Sequence, residues 1–137
     1  MTFFADSSAF YAAADIGDRN HGRAVLILSR PEPLVTTDHV VVESWLLIRH
    51  RLGRGAAERF WEGVRSGAVV VEPIGLADLE VAWSIGVAFP DQDFSIVDRT
   101  SFAAMQRLGI GRVASFDDDF AVFRFGRNRE RAFEVLR

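Results

Sequence analysis

Four acidic residues stand where an acid is costly. Asp6 follows the apolar run Phe3-Phe4-Ala5, and Glu43 is the only charged residue between Val40 and Ile48. Asp98 follows Ser95-Ile96-Val97, and Asp117 follows Arg112-Val-Ala-Ser-Phe116. A carboxylate set against apolar neighbours loses water and needs a partner. Each has an ordinary explanation alone: Asp6 can cap a helix, and Glu43 can sit at the rim of an apolar face, paired with an arginine. Together they suggest a site. Two unit charges about 5 Å apart repel by roughly 3 kcal/mol at an effective dielectric near 20, so four carry on the order of 10 kcal/mol unless protons or a cation relieve it. A hard divalent ion, magnesium or manganese, suits such oxygen ligands. It would also lower the pKa of a bound water and stabilise charge on a phosphoryl group. The chemistry expected is hydrolysis of a phosphodiester by water, with no covalent intermediate.

The elements that must position these acids follow from periodicity and punctuation. Phe3-Phe4-Ala5 reads as a buried strand with Asp6 at its carboxyl end and a helix opening at Ser7 or Ser8 and closing at Gly17. Asn20 is a candidate cap for a helix over 21–29. Leu34-Val35-Thr36 is short and β-prone, and Thr37 or Asp38 can cap a helix reaching Gly53 that carries Glu43. A helix over 54–66 follows, then Ala68-Val-Val-Val-Glu-Pro73, the clearest strand by composition. Residues 76–87 read as an amphipathic helix with Leu76, Leu79, Trp83 and Val87 near one face. Asp93 or Ser95 can cap the helix that holds Asp98 and ends at Gly109 and Gly111. Arg112–Phe116 is another strand, with Asp117-Asp118-Asp119 at its end, and Ala132–Leu136 a final edge strand. Strands alternating with helices imply a mostly parallel sheet of four to five strands with helices on both faces. In such a sheet, carboxyl ends far apart in sequence meet at one edge, where ligands bind.

Composition narrows the alternatives. With 137 residues, 49% of them apolar, one globular domain spanning 1–137 is expected. There is no cysteine, so thiol chemistry and cysteine-bound zinc are excluded. All 16 basic residues are arginine. That removes Schiff-base and P-loop lysine mechanisms, together with the phosphate-binding lysine of response-regulator receivers and haloacid-dehalogenase-type phosphatases. Arginine suits nucleic-acid backbones, although a GC-rich coding bias yields the same composition. His21, His39 and His50 show no motif that would build a serine triad, and no glycine-rich phosphate loop is present. No apolar run is long enough to span a membrane and no signal peptide precedes the first strand, so a cytoplasmic location is expected.

Four segments in order, Phe4-Ala-Asp-Ser-Ser-Ala-Phe10, Thr36-Thr-Asp-His-Val-Val-Val-Glu-Ser44, Asp93-Phe-Ser-Ile-Val-Asp98 with Ser101-Phe102, and Ser115-Phe-Asp-Asp-Asp-Phe120, resemble the PIN-domain ribonucleases. The resemblance is strongest to the VapC toxins of type II toxin–antitoxin pairs. It implies a three-layer α/β/α sandwich and a magnesium-dependent endoribonuclease, manganese being an alternative, acting on tRNA or rRNA. It makes Asp6, Glu43, Asp98 and Asp117 the catalytic acids, with Asp6 and Asp98 on the metal; Asp117 matches the motif better than Asp118 or Asp119, which stay open as alternatives because all three positions are aspartate. Ser7, Asp93 and Asp119 become auxiliary groups; Ser7 or Ser8 would steady the first acid or a metal-bound water, and Asp119 is alternatively a cap for a short helix around Phe120. The resemblance further implies a cognate antitoxin and a homodimer. Trp45, Phe60 and Trp61 are candidate apolar contacts for a partner, with core the stronger reading for Trp45. Arg49, Arg51 and Arg54 are candidate RNA contacts, each of which also reads as part of a solvated basic face. Arg99, beside Asp98, is placed to pair with an acid. A PIN-like module that binds RNA or protein without cutting, and a nuclease acting on DNA, are the competing readings.

Overall fold

The computed structural model describes residues 1–137. Five short strands form one sheet: β1 (Phe3–Ala5), β2 (Leu34–Thr37), β3 (Val70–Glu72), β4 (Arg112–Ala114) and β5 (Glu134–Leu136). Their spatial order is β3-β2-β1-β4-β5, and every pairing is parallel. Parallel neighbours need crossovers, which the helices supply: α1 (Ser7–Ala14), α2 (His21–Leu28), α3 (Asp38–Leu52), α4 (Arg54–Arg65), α5 (Leu76–Ala88) and α6 (Ile96–Leu108). A one-turn helix, α7 (Asp119–Val122), precedes the last strand. The result is the expected α/β sandwich.

The chain steps from β1 outward through β2 to β3, then crosses back to β4 and β5. Its direction of travel therefore reverses between β1 and β4, which leaves a crevice beyond their carboxyl ends. Phe4 is in register with both Val35 and Val113, and all of β1 is buried. The residues that follow these two central strands are Asp6 and Ser115–Asp119.

A phenylalanine-rich core fixes the acid-bearing elements against one another. Phe102 of α6 stacks on Phe123 with ring centres 4.2 Å apart, and meets Phe120 edge-on at 5.0 Å. Phe120 in turn reaches Phe4 of β1. Phe102 lies one helical turn after Asp98, Phe120 directly follows Asp119, and Phe4 stands two residues before Asp6. Each aromatic anchor thus sits close in sequence to an acid. The guanidinium of Arg107, at the far end of α6, forks onto Asp78 of α5 (3.0 and 2.9 Å) and reaches Glu72 of β3. Gly109, at φ 69°, closes α6 in the left-handed conformation that glycine adopts without penalty.

Several expectations shift at this level. Asn20 makes no side-chain cap; the Asp18 carboxylate instead accepts its backbone N–H at 2.8 Å, which shapes the turn into α2. The run 68–73 shrinks to an exposed edge strand, because nothing covers Val70 and Val71 on the outer side of the sheet. The apolar stripe of α5 points outward: Leu76 is 82% exposed and Trp83 71%, while Asp78, Ala82 and Ile85 face the core. Trp45 is half-buried rather than core, and its indole N–H finds no partner.

Candidate active site

Asp6 leaves β1 with extended backbone and becomes the residue before α1. Its side chain makes no helix-capping bond; it turns toward β4. The hydroxyls of Ser8 and Ser115 both donate to its Oδ2, at 2.9 and 3.0 Å. These two hydroxyls lie 3.3 Å from each other, and they also accept the backbone N–H groups of Phe116 and Asp117. The strand end of β4 is thereby stitched to the start of α1. The other carboxylate oxygen, Oδ1, has only a 3.5 Å contact with Ser7. One face of Asp6 is fixed and the other remains available.

Thr37 starts α3 by accepting the N–H of Val40 at 3.1 Å, and the helix carries Glu43 toward Asp6. The Ser7 hydroxyl donates to Glu43 at 2.6 Å, linking the second acid to the first. Ser95 and Asp98 form a reciprocal capping box at the start of α6, with both bonds 3.0 Å. Asp98 thus spends one oxygen on the helix start while its residue is nearly buried. Asp119 stands in the first turn of α7, where it adds to the upward push on the Asp98 carboxyl.

Burial and mutual charge act together on these acids. Burial is the largest influence raising Asp6, opposed by its serine and backbone donors. Burial also raises Glu43, against the pull of Ser7 and with the charge of Asp6 adding to it. Asp98 is pushed up to about 7, first by burial and then by the bond to Asp119, with the charges of Asp6 and Asp119 contributing. Asp117 has an exposed surface, yet its carboxyl loses enough water to be pushed up to about 6, with the charges of Asp6, Asp119, Glu43 and Asp118 adding to the shift. Groups that feel one another this way are neighbours.

Among the three consecutive aspartates, Asp117 and Asp119 belong to this group. Asp118 turns outward, its side chain 84% exposed, and pairs with Arg137 at 2.9 Å. Asp93 is exposed in the loop before α6 and makes no hydrogen bond to the acids. Arg99 pairs with no acid: its Nε donates to the Phe94 carbonyl at 3.0 Å and its guanidinium packs on Gly86, where a Cβ would come within 2.2 Å. None of the histidines joins the site. His21 meets the Ala12 carbonyl, His39 meets Thr100, and His50 is exposed. Arg49, Arg51 and Arg54 are all exposed; Arg54 pairs with Glu58, and Arg51 lies over the Tyr11 ring. Ser115 is the main omission of the sequence reading, although its place two residues before an aspartate, at a strand end, was a usable signal.

The donor set is hard oxygen throughout. No three acidic or histidine side chains already stand at ligand spacing around one point. Carboxylate and hydroxyl oxygens are the kind of donor that a hard divalent ion takes.

The chain matches a known family and known structures. The PIN domain family model matches residues 3–126. The chain is 38% identical over 124 residues, 89% of its length and 94% of the relative's, to the 23S rRNA-specific endonuclease VapC20 from two strains of Mycobacterium tuberculosis. The crystal structure of M. tuberculosis VapC20, described as a Sarcin-Ricin loop cleaving toxin, superimposes with a TM-score of 0.81 at 36% identity, covering 87% of this chain and 92% of that one. FitAcB from Neisseria gonorrhoeae has a TM-score of 0.67 at 15% identity, covering 100% of this chain and 97% of that one, and is similar in fold alone.

Proposed function

The chain belongs to the PIN-domain family, in its VapC-type branch, and from that premise we propose that it is a magnesium-dependent endoribonuclease toxin that hydrolyses phosphodiester bonds of ribosomal RNA. The reading is supported by Asp6 at the crevice between β1 and β4, held by Ser8 and Ser115 and linked through Ser7 to Glu43, with Asp98, Asp117 and Asp119 on the elements around it. A 38% identity to a 23S rRNA-specific endonuclease favours rRNA over tRNA as the substrate class.

Asp6 and Asp98 would hold the ion, Asp6 through the oxygen that Ser8 and Ser115 leave free. When bound, magnesium supplies charge neutralisation for the phosphoryl oxygens and for the leaving 3′-oxygen. Ser7 holds Glu43 in place beside Asp6. Asp117, which faces the solvent side of the group, orients the attacking water and takes its proton; a carboxyl raised to about 6 is suited to that exchange near neutral pH. Water adds to phosphorus, the bond to the 3′-oxygen breaks, and the products are a 5′-phosphate and a 3′-hydroxyl. Asp119, on α7 beside Asp117, serves as an auxiliary acid. Asp93 is retained as an auxiliary acid, acting from the exposed loop ahead of α6.

The family also implies a cytoplasmic protein held by a cognate antitoxin, and a homodimer. No helix is long and apolar enough to cross a membrane. An apolar groove of about 420 Å³ between α3, α4 and β3, lined by Val42, Trp45, Leu46 and Trp61 among others, suits an antitoxin's apolar side chains. The outward stripe of α5 suits a second copy.

The test is cleavage of total RNA with magnesium, read by sequencing the new ends. Wild-type protein should cut at discrete sites, and Asp6→Asn and Asp98→Asn should lose at least a hundredfold in rate while keeping the circular dichroism spectrum of the fold. Full activity in both variants would refute the assignment. Folded wild-type protein that binds RNA and never cuts it would favour the non-catalytic module.

A further inference from the structure

An acidic centre repels the polyanion it is meant to cut, so strand-holding cations must lie beside it. A groove of about 310 Å³ opens alongside Asp117, walled by the first turns of α1, the loop before α2, the outer part of α3 and the end of β4. Two cations line it, Arg19 and Arg51, and neither is in an ion pair. Asp18, the other acid of the groove, is turned onto the Asn20 N–H.

The position of Arg51 is built. Glu43, Leu47 and Arg51 follow one another at four-residue spacing along α3, so a single stripe leads from the acids into the groove. Eight residues at about 1.5 Å each separate Glu43 from Arg51 by roughly 12 Å along the axis. That reach suits a neighbouring phosphate rather than the one being cut. The Tyr11 ring lies beneath the guanidinium at 5.0 Å, and its hydroxyl is tied to Asp15 at 2.6 Å. Tyr11 is itself buried, so Arg51 rests on a fixed platform. Arg19 faces it from the loop, and Leu47 and Phe116 give the groove an apolar wall.

We propose that this groove is the strand-holding subsite, in which Arg19 and Arg51 grip an RNA phosphate next to the scissile one and Tyr11 is the residue that positions Arg51. The inference rests on the nuclease reading above for the direction of the strand. Phosphate contacts fix register without reading sequence. The subsite therefore governs affinity and salt dependence, not the choice of cleavage site.

The experiment compares wild type with Arg19→Gln, Arg51→Gln, the double variant and Tyr11→Leu, with Arg127→Gln as a charge-matched control outside the groove. Binding of a fluorescein-labelled single-stranded 12-mer RNA is followed by anisotropy in calcium, and cleavage of total RNA in magnesium. Each lost phosphate contact should flatten the slope of log K against log salt by about 0.7. The double variant should bind roughly tenfold more weakly at 100 mM salt and raise KM with kcat within twofold, while the control stays at wild type. Tyr11→Leu should reproduce the Arg51→Gln phenotype and add little to it. An unchanged affinity and salt slope in the folded double variant would overturn the subsite, even if wild-type cleavage is robust. Wild type that binds the 12-mer through these arginines but never cuts RNA would sink the nuclease reading and leave the groove standing.

Discussion

Asp98→Asn should make the metal-free protein more stable, and by an amount that depends on pH. The carboxyl of Asp98 is displaced from its ordinary 3.8 to about 7 by burial and by Asp119. Its folded-state pKa is therefore raised, so the fold carries no penalty below about 3.8, a growing penalty between about 3.8 and 7, and a constant one above. At about 1.4 kcal/mol per pKa step, the full displacement corresponds to roughly 4 kcal/mol. Discounted by half for the water the group retains, about 2 kcal/mol remains. Asparagine keeps an oxygen that can accept the Ser95 N–H, so the helix start survives the change. For a chain of this size 1 kcal/mol moves the melting temperature by about 3 to 4 °C, so the variant should melt about 6 °C higher than wild type at pH 8. At pH 4.5 the advantage should shrink to about 0.5 kcal/mol. Thermal denaturation by circular dichroism in EDTA at the two pH values measures both numbers. A variant no more stable than wild type at pH 8, or an advantage that persists undiminished at pH 4.5, would refute the picture of carboxyls held together against their repulsion.

Magnesium should relieve the same repulsion in the wild type. An ion bound only by the folded state at a hundred times its Kd adds about 2.7 kcal/mol, so millimolar magnesium should raise the wild-type melting temperature at pH 7.5 and leave Asp6→Asn unmoved; identical responses would contradict a shared ion site. Ser115→Ala removes a buried hydroxyl that bonds both Asp6 and the Asp117 N–H. A hydrogen bond to a charged group contributes about 1.5–3 kcal/mol, so urea denaturation at pH 8 should show a loss of about 2 kcal/mol together with a sharp fall in kcat, and Ser115→Thr should restore part of both.

Much of this centre was legible because strands and caps announce themselves locally. Phe3-Phe4-Ala5 before Asp6, and Val113-Ala114 before Ser115, place two acids at strand ends without any tertiary information. Thr37 and Ser95 read as helix starts, and both make the bond expected of them. The run Asp117–Asp119 resisted, since three identical neighbours differ only in which way each turns. Arg137, distant in sequence, draws Asp118 outward, and the start of α7 sets the direction of Asp119. Arg99 misled for a related reason: adjacency to Asp98 in the chain puts it on a different side of α6, where the Phe94 carbonyl takes it. The stripe Leu76-Leu79-Trp83-Val87 has the right period for a core face, and period alone does not say which side of a helix meets the sheet. The platform of Tyr11 under Arg51 joins two helices and has no sequence signature at all.

The hydroxyls that steady Asp6 come from positions 8 and 115, 107 residues apart. A growing chain holds the first acid almost at once and waits for nearly its whole length before the strand bearing Ser115 can slot in beside it. Parallel neighbours so remote in sequence close late and slowly. A chain that stops short of residue 115 would therefore carry Asp6 with only half of its hydroxyl support.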